Sequence, residues 1–400
     1  MAMTALKHVT RFEYGSALAL EARNEGAVPV FGSNGVTGVH DAPNTLGPAI
    51  IVGRKGSFGK VTWTERPGFC IDTAYYIDSR STRANLRWLY WALQTLGLDQ
   101  HSEDTGVPGL SREKAYQEKL RFPAPYQQER IANFLDEKTA RIDALIAEKE
   151  ALIEVLEESE ASQILALVTG ASAEAIEQLS PHSPSSESLP RGWELPALAR
   201  LVSKLTNGYV GPTRNILVSD GVRYLQSLHI KAGAIDFGRG EYFVKPEWSL
   251  QHEKSILAKN DILIVQTGDI GQTALVTDDF VGCNCHALII ARPRPELVVP
   301  AFLELVLRSA YGRAAFAIYS TGALHPHLNC SNIRDIRVPC PPVPVQQQIV
   351  AEASNIQDKH RGLSMHTLSH IDRLREYRSS LISAAVTGQL NIGAFKEASS

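Results

Sequence analysis

The sequence predicts an α+β fold: two globular α/β blocks and two long antiparallel coiled-coil helices, organised as a pseudo-two-fold internal repeat. Three observations predict it. Residues 127–169 form a stretch of 43 positions without Pro or Gly, long enough for one continuous charged helix. Shifting the chain by 218 residues superposes that stretch on 345–387 with 11 identities and no gap, where unrelated sequences of average composition share roughly three. Each copy is preceded by strand-like runs broken by glycine turns, and a repeat of this period dictates the organisation of the whole chain.

Residues 1–123 read as the first block. "AIIVGRKGSFGKVTW" (49–63) is a β-branched run, a G-x-x-G turn and a second strand. Residues 124–170 read as the central helix, entered through "RFPAPYQQ" and closed by "VTG" (168–170). The Ser/Pro-rich segment 171–189 reads as a linker. Residues 190–342 form the second block, in which "DILIVQTGDIGQTAL" (261–275) repeats the strand–turn–strand pattern. "TGVPGLS" (105–111) and "TGALHPHLN" (321–329) correspond in the same way. Residues 343–390 form the second helix, entered through "RVPCPPVPVQQ" and closed by its own "VTG" (386–388), and 391–400 are a tail. "LPRGWELP" before block two has no counterpart before block one. Val9 and Gly15 align with Val202 and Gly208, so the missing portion would precede Met1, through a late natural start or a trimmed N-terminus.

The helices carry a seam. Ile131, Leu135, Lys138, Ile142, Leu145, Lys149, Leu152 and Leu156 follow a 4-3-4-3 spacing, and Ile349, Ala353, Ile356, Leu363 and Leu374 continue it in the second copy. A 43-residue helix is roughly 65 Å long and cannot bury a narrow apolar stripe alone. Two such helices bury theirs together, and a dyad relating the repeats makes them antiparallel. The second copy is more polar, with His360, Thr367 and His370, which either complete the seam or face a partner.

Composition and motifs narrow the function. Hydrophobic content of 44% and charge of 21% are those of a folded chain. No run of 18 apolar residues suggests a membrane helix, and the start lacks a signal-peptide core. The five cysteines, Cys70, Cys283, Cys285, Cys330 and Cys340, read as reduced thiols, so a cytoplasmic protein is expected. Acid is concentrated in one place: residues 124–188 carry 4 Lys/Arg against 13 Asp/Glu, whereas 1–123 carry 14 against 12 and 189–342 carry 16 against 13. The mildly basic blocks are compatible with nucleic acid. "GRKGSFGK" (53–60) fails the phosphate-loop pattern, because Phe58 stands at the second glycine and Val61 follows the lysine. "CNCH" (283–286) lacks zinc-ligand spacing. No dinucleotide fingerprint or nucleophile elbow is present. No catalytic residue and no metal site is expected, and the blocks read as binding modules.

These repeated features resemble the specificity (S) subunit of type I restriction–modification systems. The resemblance rests on "YQQERIANFLDEKTARIDALIAEKEALIEVL" with its copy "VQQQIVAEASNIQ…HIDRLREYRSSLI", on the paired "VTG", and on "VPVFGSNGVTG" (28–38) and "LPRGWE" (189–194) as openings of target-recognition domains. It implies that each block reads one half of a split double-stranded DNA target. It implies that the helices form a spacer and dock two modification (methyltransferase) subunits, to which a restriction (translocase/endonuclease) subunit adds. S-adenosylmethionine would then sit on the modification subunits, with no cofactor on this chain.

Base edges are read by Arg, Lys, Asn, Gln, Ser, Thr or His, usually from loops on a rigid scaffold. In block one the candidates are Arg54 and Lys55 at the strand turn, Lys60 toward phosphate, and Ser33 and Asn34 in "FGSNG". In block two they are Gln266, Thr267 and Asp269 at the matching turn, Asn207, Thr213, Arg214 and Asn215 in "TNGYVGPTRN", and Thr321 and His325 in "STGALHPH". Each could equally be a solvated turn residue. Two other readings stay open: a coiled-coil scaffold whose blocks bind proteins or another ligand, and a nuclease or methyltransferase with an unfamiliar site.

Overall fold

A computed structural model describes residues 3–100, 109–170, 189–322 and 327–392. Residues 171–188 of the expected linker (171–189), His325 and most of the tail lie outside the described residues. The chain divides into two compact units, Met1–Ala151 with Thr367–Ser400, and Leu152–His366. The boundary cuts both long helices, so each unit owns part of each.

In the first unit, β1 (Met3–Ala5) pairs antiparallel with β9 (Lys119–Arg121). β2 (Glu13–Tyr14), β5 (Ala49–Gly53), β6 (Val61–Thr64) and β8 (Ala74–Ile77) form an antiparallel sheet in the order β2-β8-β5-β6. β3 (Val28–Gly32), β4 (Gly35–His40) and β7 (Phe69–Cys70) form a second sheet. β5, "AIIVG", is buried along its whole length, as a β-branched run covered on both faces should be. α1 (Leu86–Leu93) is capped by Asn85, whose side chain accepts from the Trp88 N–H at 2.9 Å. α2 (Arg112–Gln117) is capped by Ser111. The long α3 (Pro125–Thr169) follows. Its Ile131, Leu135 and Ile142 share the unit's core with Trp88, Trp91, Ile50 and Phe12.

The second unit repeats this plan with insertions. β10 (Val202–Asn207) follows the short α4 (Leu198–Leu201). β11 (Leu217–Val218), β12 (Val222–Leu225), the β13 (Ile230–Lys231) and β14 (Ala234–Ile235) hairpin, and β15 (Phe243–Val244) come next. α5 (Pro246–Gln251), β16 (Ile262–Val265), β17 (Thr273–Leu275), β18 (Asn284–Cys285) and β19 (Leu288–Pro293) complete the sheets. The main sheet runs β10-β19-β16-β17, matching β2-β8-β5-β6. α6 (Pro300–Arg308), α7 (Ala310–Tyr319), α8 (Cys330–Ile333) and the long α9 (Val343–Thr387) follow. Cys283 and Cys285 are buried in an apolar cluster with Leu225 and Leu263.

The correspondence extends to single hydrogen bonds. Leu110 donates its N–H to the Arg54 carbonyl at 2.8 Å, and Leu328 donates to Gln266 at 2.9 Å. Ser16 donates to Cys70 and Tyr209 to Cys285, both at 2.9 Å. "VTG" closes both long helices for one reason. Gly170 (φ +64°) and Gly388 (φ +72°) take the left-handed conformation that ends a helix, and a Cβ at either would strike the Pro190 ring or the Arg121 guanidinium respectively.

The long helices pair antiparallel. Within the first unit Asp143 meets Arg378 at 2.8 Å and Glu150 meets Arg375 at 3.0 Å, so residue numbers rise on one helix as they fall on the other. The strict heptad reading needs correction at three positions. Leu145, Leu152 and Leu363 are each 45% exposed. Ile146 and Ile153, one residue later, are the half-buried ones, and Thr367 and Ile371 are buried on α9. After Ile142 the half-buried positions are Ile146, Lys149, Ile153 and Leu156, so the helix keeps a 4-3-4-3 count but takes the residue four, not three, after Ile142 and Lys149. Leu135, Ile131, Ile142 and Ile349 are buried, and Leu156, Ile356 and Leu374 are half-buried. His360 is buried and lies 3.4 Å from the Gln163 amide within the second unit. It faces α3.

Candidate nucleic-acid interface

In the first unit, β2 and β5 end at one edge of the sheet, where Tyr14 and Val52 both pair with Tyr75. The chain turns there through residues 56–59, with Gly56 and Gly59 at φ +73° and +76°, a conformation that costs a residue with a Cβ. Ser33 and Asn34 form the two-residue tip of the β3–β4 hairpin, Asn34 exposed. The structure brings this tip to the turn. The Ser33 carbonyl lies against Gly53, and Lys60 donates from Nζ to the Asn34 carbonyl (2.9 Å) and to its Oδ1 (2.8 Å). Lys60, the residue expected toward phosphate, is exposed and uses two of its three donors to brace the hairpin tip.

Arg54 is also held. Its Nη1 donates to the Asp72 carbonyl at 2.9 Å, and its guanidinium stacks 5.0 Å from the Tyr14 ring. Arg112 stacks on Tyr14 as well, at 4.9 Å. Tyr14 therefore stands 46% exposed beside two cations. Burial pushes the Tyr75 hydroxyl up to about 12, with Tyr14 beside it adding to the shift and Arg54 opposing it. It donates to the Leu110 carbonyl at 3.2 Å. Lys55 is exposed.

In the second unit, Asn207 ends β10 and Gln266 follows β16 at the equivalent edge. Thr267 and Thr321 both bridge to His327, and the Thr321 hydroxyl lies 3.3 Å from His327 Nε2. The Asn207 Oδ1 accepts from Cys330 Sγ at 3.1 Å. Asp269 is exposed between Gly268 and Gly271, the partners of Gly56 and Gly59. Thr213, Arg214 and Asn215 lie on a separate turn, where the Ile216 N–H meets the Thr213 carbonyl at 3.1 Å.

Sequence reasoning passed over Tyr14, Arg112 and His327. It also passed over an aromatic group beside Asn207, in which Trp248 stacks on His252 at 4.0 Å and Tyr209 meets both edge-on at 5.0 and 5.1 Å. The signal was available: Tyr14 and Tyr209 each adjoin one of the aligned glycines, Gly15 and Gly208. A shallow groove lined by Asn207, Tyr209, His252 and Lys254 opens next to this group. Among the described residues, no cluster of three or more His, Cys, Asp or Glu is placed to hold a metal ion, and no helix is long and apolar enough to cross a membrane.

The two edges thus present hydroxyl, amide and cationic groups on matching turns of a repeated scaffold. The sequence profile of the type I restriction modification DNA specificity domain matches residues 5–155 and 208–361, one copy for each block. The chain belongs to the type I restriction–modification DNA specificity family. The type I restriction enzyme EcoBI specificity subunit of Escherichia coli is 23% identical over 350 residues, 85% of this chain and 73% of that protein. Two solved structures share the fold of this specificity subunit. One, from a study of complex assembly and conformational transition of the type I R-M system, has a TM-score of 0.71 at 14% identity, covering 97% of this chain and 98% of the other. The HsdS subunit from Thermoanaerobacter tengcongensis has a TM-score of 0.52 at 14% identity, covering 97% of each.

Proposed function

We propose that this specificity subunit reads a bipartite double-stranded DNA target, each globular block taking one half, and docks two modification subunits on its long helices. The observation that carries the reading is the repeated edge: two blocks of one family domain offer different side chains on the same turn, Arg54 and Lys55 in one, Gln266 and Thr267 in the other. One scaffold with two sets of readers suits an asymmetric split site. In block one Asn34, Arg54 and Lys55 are the base-reading candidates, with Lys60 positioning Asn34. In block two they are Asn207, Gln266, Thr267 and Thr321, and Thr213, Arg214, Asn215 and Asp269 approach from outer turns. The chain is non-catalytic in this reading. Methyl transfer from S-adenosylmethionine occurs on the modification subunits, and a restriction subunit joins the core. The acidic surface of α3 suits protein better than phosphate.

Methylome sequencing of cells carrying this chain with its modification subunit tests the reading. A single split methylated motif is expected, absent when this chain is omitted. Methylation by the purified chain alone, or a motif independent of it, overturns the proposal.

A further inference from the structure

The hydrogen-bond and strand registers fix which residues of the two units correspond. Ile50 pairs with Trp63 as Ile262 pairs with Leu275. The Asn85 N–H meets the Gln128 side chain as the Val299 N–H meets Gln346. Counting from these anchors, Trp63, Arg87, Tyr90, Trp91 and Asp136 correspond to Leu275, Ala301, Glu304, Leu305 and Ser354.

In the first unit the five make one filled cluster. The Arg87 guanidinium lies 4.7 Å from the Trp63 ring, 4.9 Å from Tyr90 and 5.3 Å from Trp91. Asp136 accepts from Arg87 Nε and from Trp91 Nε1, both at 2.8 Å. This ties α1 to α3. In the second unit the same five positions are among those lining an open groove between α6, α9 and the β13–β14 hairpin. Every one of the five is a smaller side chain. The Glu304 carboxylate lies in the floor, held by the Thr273 hydroxyl at 2.8 Å and Arg308 Nε at 3.0 Å, and Asp279 is exposed on the rim.

We infer that this groove is a docking site for the modification subunit, which inserts an aromatic side chain flanked by a basic one. The first unit shows what the position accepts: an indole and a guanidinium on a carboxylate. The second unit has apolar walls at these places (Leu275 for Trp63, Leu305 for Trp91, with Val350) but lacks the indoles and the guanidinium. Ser354 replaces the acid Asp136, Glu304 is already paired with Arg308, and the acid placed to meet a basic group is Asp279 on the rim. The inference rests on the proposed docking of modification subunits, and adds that the two docking faces are not equivalent. One modification subunit inserts into a groove near α6, while the other meets a surface that is already filled.

The test is native mass spectrometry and titration of the full chain with its modification subunit. Ser354 is exposed on α9, so Ser354→Trp fills the groove from a surface position with little cost to folding. The wild-type chain binds two copies. Ser354→Trp is expected to lower the affinity for one copy roughly tenfold or more, the loss typical of an interface hot spot, leaving a one-to-one complex at intermediate concentration. Asp279→Lys is expected to weaken the same step. Asp136→Ala, which opens the filled cluster, should leave the groove-dependent step unchanged. Two copies bound with wild-type affinity by both groove variants overturn the inference. A wild-type chain that binds no modification subunit overturns the proposed function instead.

Discussion

Gln128 and Gln346 make the same pair of hydrogen bonds in the two units. Each is buried. Gln128 Oε1 accepts the Asn85 N–H at 2.8 Å and its Nε2 donates to the Pro123 carbonyl at 2.8 Å. Gln346 Oε1 accepts the Val299 N–H at 2.7 Å and its Nε2 donates to the Pro341 carbonyl at 2.8 Å. The side-chain amide supplies both the donor and the acceptor used at this place. It joins the start of a block helix to the proline exit of a long helix. Replacing either residue by Ala strands a backbone N–H and a carbonyl, at a cost of about 1–3 kcal/mol. Hydrogen exchange should locate the loss: Gln128→Ala speeds exchange around residues 85–93, Gln346→Ala around 299–308. Exchange that rises equally in both units would show that the amide is not a local anchor.

Lys60 and Arg54 separate two kinds of contact. Lys60→Ala releases the Asn34 tip without removing a reader, so methylation should keep the second half-site and lose discrimination in the first. Arg54→Ala removes a guanidinium already fixed by Asp72 and Tyr14. If it reads a base, the cognate site loses about 1–3 kcal/mol and only that position relaxes. Equal weakening on all sequences would make Arg54 a phosphate contact, and unchanged binding a turn residue. Competition binding on single-substituted duplexes at fixed salt distinguishes the three.

The repeat, the long helices and the paired glycine turns were legible because each has a strong local cause. Gly56, Gly59, Gly268 and Gly271 sit at φ values near +80°, and no other residue type marks such a turn as plainly. The seam was legible through Ile131, Leu135, Ile142 and Leu156, but Leu145 and Leu152 stand beside equally apolar Ile146 and Ile153, and a spacing count does not choose between such neighbours. The brace from Lys60 to Asn34 spans 26 residues, and no pattern in the chain announces it. Tyr14, stacked by Arg54 and Arg112, is likewise a product of the sheet edge closing on distant segments. Tertiary pairing of this sort is invisible to periodicity.

The second unit should carry its own pH dependence. His229 is buried, its Nδ1 accepts the Gln226 N–H at 2.8 Å, and its Nε2 lies 2.6 Å from the Gly240 carbonyl. That pattern requires a neutral ring protonated on Nε2. Burial lowers its pKa from the ordinary 6.5, against the opposing pull of the Gly240 carbonyl and Asp236. The unfolded chain takes up a proton near pH 6.5 while the folded ring resists it, so stability falls as pH drops through that value toward the lower folded pKa. Above it the group contributes no slope. His229→Gln should flatten this part of the profile, followed by urea unfolding between pH 8 and 5 with hydrogen exchange at residues 226–240 as the local readout. A wild-type profile without the slope, or a slope retained by the variant, would refute the assignment.

The last prediction concerns the helices as a spacer. α3 and α9 are each continuous over 45 residues, and each passes through residues of both units. If their length sets the separation of the DNA half-sites, lengthening both should lengthen the gap. A helical residue rises about 1.5 Å and a base pair about 3.4 Å, so four added residues give roughly 6 Å, close to two base pairs. Four residues also advance the helix by about one turn and nearly preserve the buried line. The insertions belong between Glu148 and Ala151 and, matched, between His366 and Ser369, where Glu150 and Leu368 are exposed. Each half-site sequence depends on its own block and should remain unchanged, while the methylated gap grows by one or two base pairs. A gap that stays fixed in a variant that still methylates would remove the helices from this role, and the placement of the half-sites would then come from the docked modification subunits.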